Sequence, residues 1–210
     1  MNQFLNSDYP AAEVKKEGIK YGIYLGVISL VVSIISLYVL MSTSNFKMTS
    51  IVTGGIGFVL MIGLSSYFAV LLRRVAGGFW SFSQALKGIY TMLAIAVIIS
   101  SVGSTIFGIF NPEPQQLVFD KTINFTIETM ESVGADEDLI DKQVSELEKT
   151  RDEMRSFSFG QTLKGLGVSL IMYFVFALVL AAILKCEKPA FLQVSREEDQ
   201  DGQDHPQVNN

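Results

Sequence analysis

The sequence predicts an all-α integral membrane protein with four transmembrane helices and an extracytoplasmic amphipathic helical hairpin between the third and fourth. Three observations predict it. Uncharged apolar runs occupy 21–41, 51–72, 88–110 and 165–184, each long enough to cross a hydrocarbon layer of about 30 Å as a helix. Lysine and arginine cluster beside alternate ends of these runs. Between the last two runs lies a polar stretch, 111–159, whose apolar residues recur at helical spacing.

Composition narrows the class further. Of 210 residues, 49% are hydrophobic and the mean hydropathy is +0.37, with the apolar residues gathered in blocks. Four such runs buried inside a soluble fold would leave too little polar surface to cover it. Net charge is −5, but the acid is concentrated in one loop and the tail. No sustained basic patch exists, so nucleic acid is not an expected partner. The single cysteine, Cys186, cannot form an internal disulfide and reads as a plain buried or interfacial thiol. The first eight residues lack a short basic segment running into an apolar core, so no removable signal peptide is expected.

Taken in order, residues 1–18 form a polar cytoplasmic segment carrying Lys15 and Lys16, and the first transmembrane helix spans 19–42. Gly18, Gly22, Gly26, Ser29, Ser33 and Ser36 form a seam of small residues along it. Small residues let helix backbones approach, and packing drives helix association in lipid. The expected use is packing within one bundle, against the third span's Ala94, Ser101 and Gly108. A homodimer seam is the other use and is not favoured.

The second transmembrane helix is placed at 51–72, and 73–87 is a cytoplasmic loop and helix start. Arg73 and Arg74 follow the apolar run and hold this loop on the cytoplasmic side. Gly77 and Gly78 break the helix. Phe79, Trp80 and Phe82 suit the headgroup layer. Ser81 and Gln84 have the spacing of a capping box, so a helix restarts here. Lys87 lies about a turn inside, where its stem snorkels to the interface. The stretch reads as a helix start; a binding surface on the cytoplasmic face is the sharper alternative.

The third transmembrane helix spans 88–110. Pro112 and Pro114 then turn the chain into the hairpin, 111–159. Phe119, Ile123, Ile127 and Met130 form one apolar stripe; Ile140, Val144, Leu147 and Met154 form the next. Between them, Gly134 to Asp138 make a turn, with Asp136 or Asp138 as N-cap. Asp136, Asp138 and Asp141 lack the glycine and distal glutamate of a calcium loop, so no metal or other cofactor is expected.

The fourth transmembrane helix is placed at 163–185. It starts from Ser158-Phe159-Gly160-Gln161-Thr162-Leu163-Lys164-Gly165, which repeats Ser81-Phe82-Ser83-Gln84-Ala85-Leu86-Lys87-Gly88. Gln161 and Lys164 therefore match Gln84 and Lys87. Both copies cap a helix, snorkel a lysine and enter the bilayer; an inverted transporter repeat is the alternative. Residues 189–210 form an acidic tail with too little apolar content to fold, containing the only histidine, His205.

Orientation follows from the basic residues. Lys15, Lys16 and Lys20 precede the first span, Arg73, Arg74 and Lys87 lie between the second and third, and Lys185, Lys188 and Arg196 follow the fourth. With four spans all three groups fall on one side, the cytoplasmic one. The hairpin, with twelve acidic residues from Glu113 to Glu153, falls on the other.

Around Arg73, Gly77, Gly78, Phe82, Gln84, Ala85, Lys87 and Gly88 the chain resembles the bacterial family catalogued as "domain of unknown function 4199". Pro112 and the ending Leu180-Ala181-Ala182-Ile183-Leu184-Lys185 add to the match. Arg74 stands where that family often has an acidic residue. The resemblance implies four membrane helices, an extracytoplasmic insertion before the last, and a bacterial inner membrane; it implies no catalytic residues. The function expected is non-enzymatic, through contacts with membrane lipids and with a protein partner at the hairpin. A small transporter or channel component built on the repeated helix starts is the alternative. An intramembrane hydrolase would need a polar dyad, and the four runs carry no Asp, Glu, Lys, Arg or His.

Overall fold

The computed structural model describes residues 10–155 and 159–187. These form six helices: α1 Ala11–Ser42, α2 Phe46–Val75, α3 Phe82–Phe110, α4 Pro112–Ser132, α5 Glu137–Arg155 and α6 Phe159–Leu184. Among the described residues there is no strand, only an isolated antiparallel bridge between Trp80 and Cys186. Helices α1, α2, α3 and the Leu163–Leu184 part of α6 are long and apolar enough to cross a membrane.

Local chemistry sets the boundaries. Asn45 caps α2, its side chain accepting from the Met48 N–H. At the other end of α2, the Gly78 N–H donates to Arg73 O and the Gly77 N–H to Arg74 O, with Gly77 at φ 84°. That pair of bonds is a Schellman cap, and its left-handed residue suits glycine. The same device closes α4: Ala135 N–H donates to Met130 O and Gly134 N–H to Glu131 O, with Gly134 at φ 72°. Asp136 then precedes α5, and its carbonyl accepts from Ile140. Pro112 occupies the first position of α4, where no N–H is required.

The bundle is uneven along its length. Its core gathers where α1 and α3 begin and α2 and α6 end: Val14, Leu72, Trp80, Ala85, Ile89, Ala177, Leu180 and Ala181 are all buried. This is the end that carries Arg73, Arg74, Lys87 and Lys185, called the basic end here. Toward the far end, α2 and α6 turn apolar side chains outward; Phe58 is 65% and Val59 69% exposed. Surfaces of that kind are unfavourable in water and ordinary against lipid.

Helix α4 packs on α1, α2 and α3 at the far end, and α5 packs on α4. The α5 residues Ile140, Val144 and Leu147 are half-buried while their neighbours are exposed, which is the apolar stripe read from the sequence. An ion pair between Arg151 Nη2 and Asp120 at 2.9 Å joins the two helices.

Candidate functional site

The tightest helix contact is between α1 and α3. A Cβ placed on Gly22 would sit 2.6 Å from Met92 O and 2.9 Å from Ile95 Cβ. One on Gly26 would sit 2.9 Å from both Ala96 O and Ile99 Cβ. Only glycine permits that approach. The partner helix is the one expected, but its contacting face is not the Ala94–Ser101–Gly108 stripe. Gly88, Met92, Ile95, Ala96, Ile99 and Gly103 face α1, with Gly103 against Leu30. Glycines on α1 already make the room, so β-branched residues on α3 fill it. Gly108 instead accommodates the Gln115 side chain of α4.

The 73–88 stretch closes the basic end. Trp80 is 2% exposed, which corrects the expectation of a headgroup aromatic. Its indole N–H donates to Leu184 O at 2.9 Å. Its backbone exchanges hydrogen bonds with Cys186, at 2.8 and 3.2 Å. A ring this large is buried favourably once its one polar atom is satisfied, and the α6 C-terminus supplies the carbonyl. Gly88 makes space beneath it: a Cβ there would meet Leu72, Val14 and Trp80 within 3.5 Å. The capping box is present, with Ser81 N–H donating to Gln84 Oε1 at 2.8 Å and Gln84 N–H to Ser81 Oγ at 3.3 Å. Phe82, Arg74 and Lys87 are exposed and Arg73 is half-buried. The stretch is thus a lock on α6 with a basic rim.

In the repeated helix start, Lys164 is exposed at the beginning of α6. Ser158 and the side chain of Gln161 lie outside the described residues.

A second lock holds the far end. Lys121 of α4 donates to Leu40 O, Met41 O and Thr43 O at 3.2, 2.7 and 2.8 Å. These carbonyls finish α1 and have no intrahelical donor, and they form the negative end of its dipole. One ammonium with three donors satisfies them together. Beside it, Phe125 of α4 meets Phe46 of α2 edge to face. No sequence pattern marked Lys121; a lone lysine on an amphipathic helix reads as solvated.

Between the two locks the helices leave two recesses that open to the outside of the bundle. A cavity of about 450 Å³ separates α1 from α2, lined by Ile28, Val32, Leu37, Leu40, Gly54, Gly57, Leu60, Met61 and Leu64, with Ser29, Ser33, Ser36, Ser50 and Thr53. A smaller one of about 260 Å³ lies among α1, α3 and α6, lined by Val97, Ser100, Ser101, Ser104 and Ser169 together with Ser29, Ser33 and Tyr173. Ser29, Ser33 and Tyr173 border both, so an apolar chamber and a hydroxyl-rich one meet along α1. Ser33 Oγ donates to Leu30 O and Ser100 Oγ to Val97 O. Ser29, Ser101, Ser104 and Ser169 make no hydrogen bond among the described residues. Tyr173 OH reaches only Met61 Sδ, at 3.7 Å. Among the described residues, neither lining contains Asp, Glu, Lys, Arg or His. The serines of α1 were legible as a small-residue seam; their convergence with Ser100, Ser104 and Ser169 depends on helix register and was not.

A family model matches residues 20–186. The chain belongs to the family described as protein of unknown function, DUF4199. The matched region begins at Lys20 and ends at Cys186, so it takes in both locks and both chambers. In this DUF4199 chain, the residues that carried the resemblance have structural work: Gly77 and Gly78 form a cap, Ala85 and Gly88 are buried, and Gln84 completes the capping box. No curated protein and no solved structure matches the chain.

Proposed function

We propose that this DUF4199 chain is a non-enzymatic, multi-pass protein of a bacterial inner membrane, acting through contacts with lipids and with a protein partner. Both ends are cytoplasmic, and the α4–α5 pair is an extracytoplasmic hairpin. The orientation rests on Arg73, Arg74, Lys87 and Lys185 meeting at one end of the bundle, the pattern the positive-inside rule describes.

The observation that carries the contact function is the Lys121 clasp. It fixes α4 to the bundle, while α5 is held chiefly through α4 and presents Leu139, 55% exposed, near its start. A rigidly mounted helix with an open outer surface suits a partner. The chambers below it offer hydroxyls and apolar side chains, groups that bind rather than transfer protons.

Orientation is tested with a reporter active only outside the cytoplasm. Inserted at Gly134 it is active; fused after Asn210 it is silent. The reverse pattern overturns the orientation. For the partner, a photocrosslinker at Leu139 in native membranes yields one discrete adduct that a crosslinker at lipid-facing Val59 does not. Identical smears from both positions contradict a partner at the hairpin.

A further inference from the structure

We infer that the paired chambers form a binding site for one neutral lipid, with an acyl chain between α1 and α2 and an uncharged hydroxyl- or carbonyl-bearing head on the serine cluster. This rests on the lipid-contact function proposed above and names its ligand. Three observations carry it.

The first is the state of the hydroxyls. In an apolar surrounding a serine usually returns its proton to the carbonyl three or four residues back, as Ser33 and Ser100 do. Ser29, Ser101, Ser104 and Ser169 do not, and they come from α1, α3 and α6 to one wall. Half-buried hydroxyls left unmet in an apolar surrounding gain from a polar partner. The second is charge. With no Asp, Glu, Lys, Arg or His among the described residues of either lining, a phosphate or ammonium head would be desolvated without a counter-charge, which is strongly unfavourable. A head that donates and accepts hydrogen bonds without charge fits. The third is access. Toward water, α4 is fastened across the end of α1 by Lys121 and against α2 by Phe125; at the basic end Tyr21 stacks on Phe68 between α1 and α2. Between those closures the α1–α2 chamber borders Gly54 and Gly57, beside which nothing lies within 4 Å. A ligand therefore arrives sideways, from the bilayer. A chamber of about 450 Å³ is within the ordinary range for small-molecule sites.

The test uses the full chain in phosphatidylcholine vesicles containing a diacylglycerol with a diazirine at its chain end. Phosphatidylcholine and phosphatidylglycerol with the same diazirine chain serve as comparisons, and glycerol flux is followed in parallel. The expected result is saturable labelling of α2 around Gly57 to Leu64, competed by unlabelled diacylglycerol. It exceeds labelling by either charged-head lipid by about three- to tenfold, the scale of one or two hydrogen bonds in lipid. Gly54→Leu with Gly57→Leu fills the chamber from a side where added atoms meet nothing, so the fold is kept and saturable labelling is lost. Ser101→Ala with Ser104→Ala and Ser169→Ala keeps chain labelling but erases the preference for the neutral head. Equal, unsaturable labelling by all three lipids, without glycerol flux, overturns the neutral-lipid site while leaving the contact function standing. Glycerol flux blocked by the Gly54→Leu and Gly57→Leu pair, without lipid labelling, overturns both and assigns the chambers to a solute.

Discussion

The two halves of this bundle use similar helices in opposite ways. At the basic end, Trp80, Leu72, Ile89 and Gly88 fill the space between helices, and a single indole N–H is matched by a single carbonyl. At the far end α1 and α3 stay together through Leu30 on Gly103 and Tyr38 on Phe107, but α2 and α6 stand off from α1, serines line part of the space, and the fastening lies outward at Lys121. The lesson is that hydropathy does not set packing in lipid. The spans run apolar through both halves, but interlocking shape decides which half closes. One half is built to hold the helices in place, and the other to leave room between them.

The comparison is broken most severely by removing the shape on which the closed half depends. Gly22→Leu or Gly26→Leu pushes a side chain into the α3 backbone. The expected cost is about 3 kcal/mol or more, at the upper end of overpacking, read as loss of monodisperse protein in detergent. Val31→Leu, on an exposed face of α1, is the matched control and changes little. If both glycines accept leucine as readily as Val31 does, the α1–α3 contact is not what closes this half.

Trp80→Ala comes next. Loss of a buried tryptophan costs about 3–5 kcal/mol where the surroundings cannot collapse. Because Trp80 sits at the rim of the bundle, the lower part of that range is expected, as a fall in thermal midpoint with faster amide exchange at the end of α6. Trp80→Phe recovers part of the loss, since burial is kept while the bond to Leu184 is not. Unchanged exchange at the α6 terminus in Trp80→Ala would remove the lock.

Lys121→Met sharpens the contrast, because it acts on the far end alone. Removing a charged hydrogen-bond donor costs about 1.5–3 kcal/mol. Protease cleavage within α4 and exchange at Leu40 to Thr43 rise, while Trp80 fluorescence stays unchanged. A simultaneous change in both regions would mean that the halves are not independent. The smallest effect belongs to Ser65, fully buried on α2 with no hydrogen-bond partner for its hydroxyl. Leaving such a group unsatisfied costs about 1–3 kcal/mol, so Ser65→Ala is neutral to stabilising in a detergent melting curve.

Much of this division was visible in the residues. Four helices follow from the uncharged runs. The caps at Gly77, Ser81 and Gly134 follow from local backbone chemistry, which needs no knowledge of the rest of the chain. The seam of Gly22 and Gly26 pointed to α3 because small residues on one long helix need another long helix beside them. What escaped is long-range. Trp80 reads as an interfacial aromatic until the end of α6, about a hundred residues later, supplies Leu184 O. Lys121 reads as solvated until α1 offers three free carbonyls. The hydroxyl chamber needs the relative rotation of α1, α3 and α6, and no single helix carries that rotation in its own pattern. For the same reason the facing residues on α3 were misplaced: opposite the α1 glycines α3 carries Met92, Ile95 and Ile99, and its small residues facing α1 are Gly88, Ala96 and Gly103.

The measurement closest to the central claim compares two heights of the same helix pair. With Cys186→Ala as background, Tyr21→Cys with Phe68→Cys places thiols where the rings now stack at 5.4 Å between centroids. Ser36→Cys with Thr53→Cys places them across the α1–α2 chamber. In native membranes, mild oxidation is expected to join the first pair within one chain and leave the second free, while a reagent with a long spacer bridges both. Rapid direct oxidation of the second pair would show that α1 and α2 meet along their whole length, and would contradict the division of the bundle into a closed half and an open one.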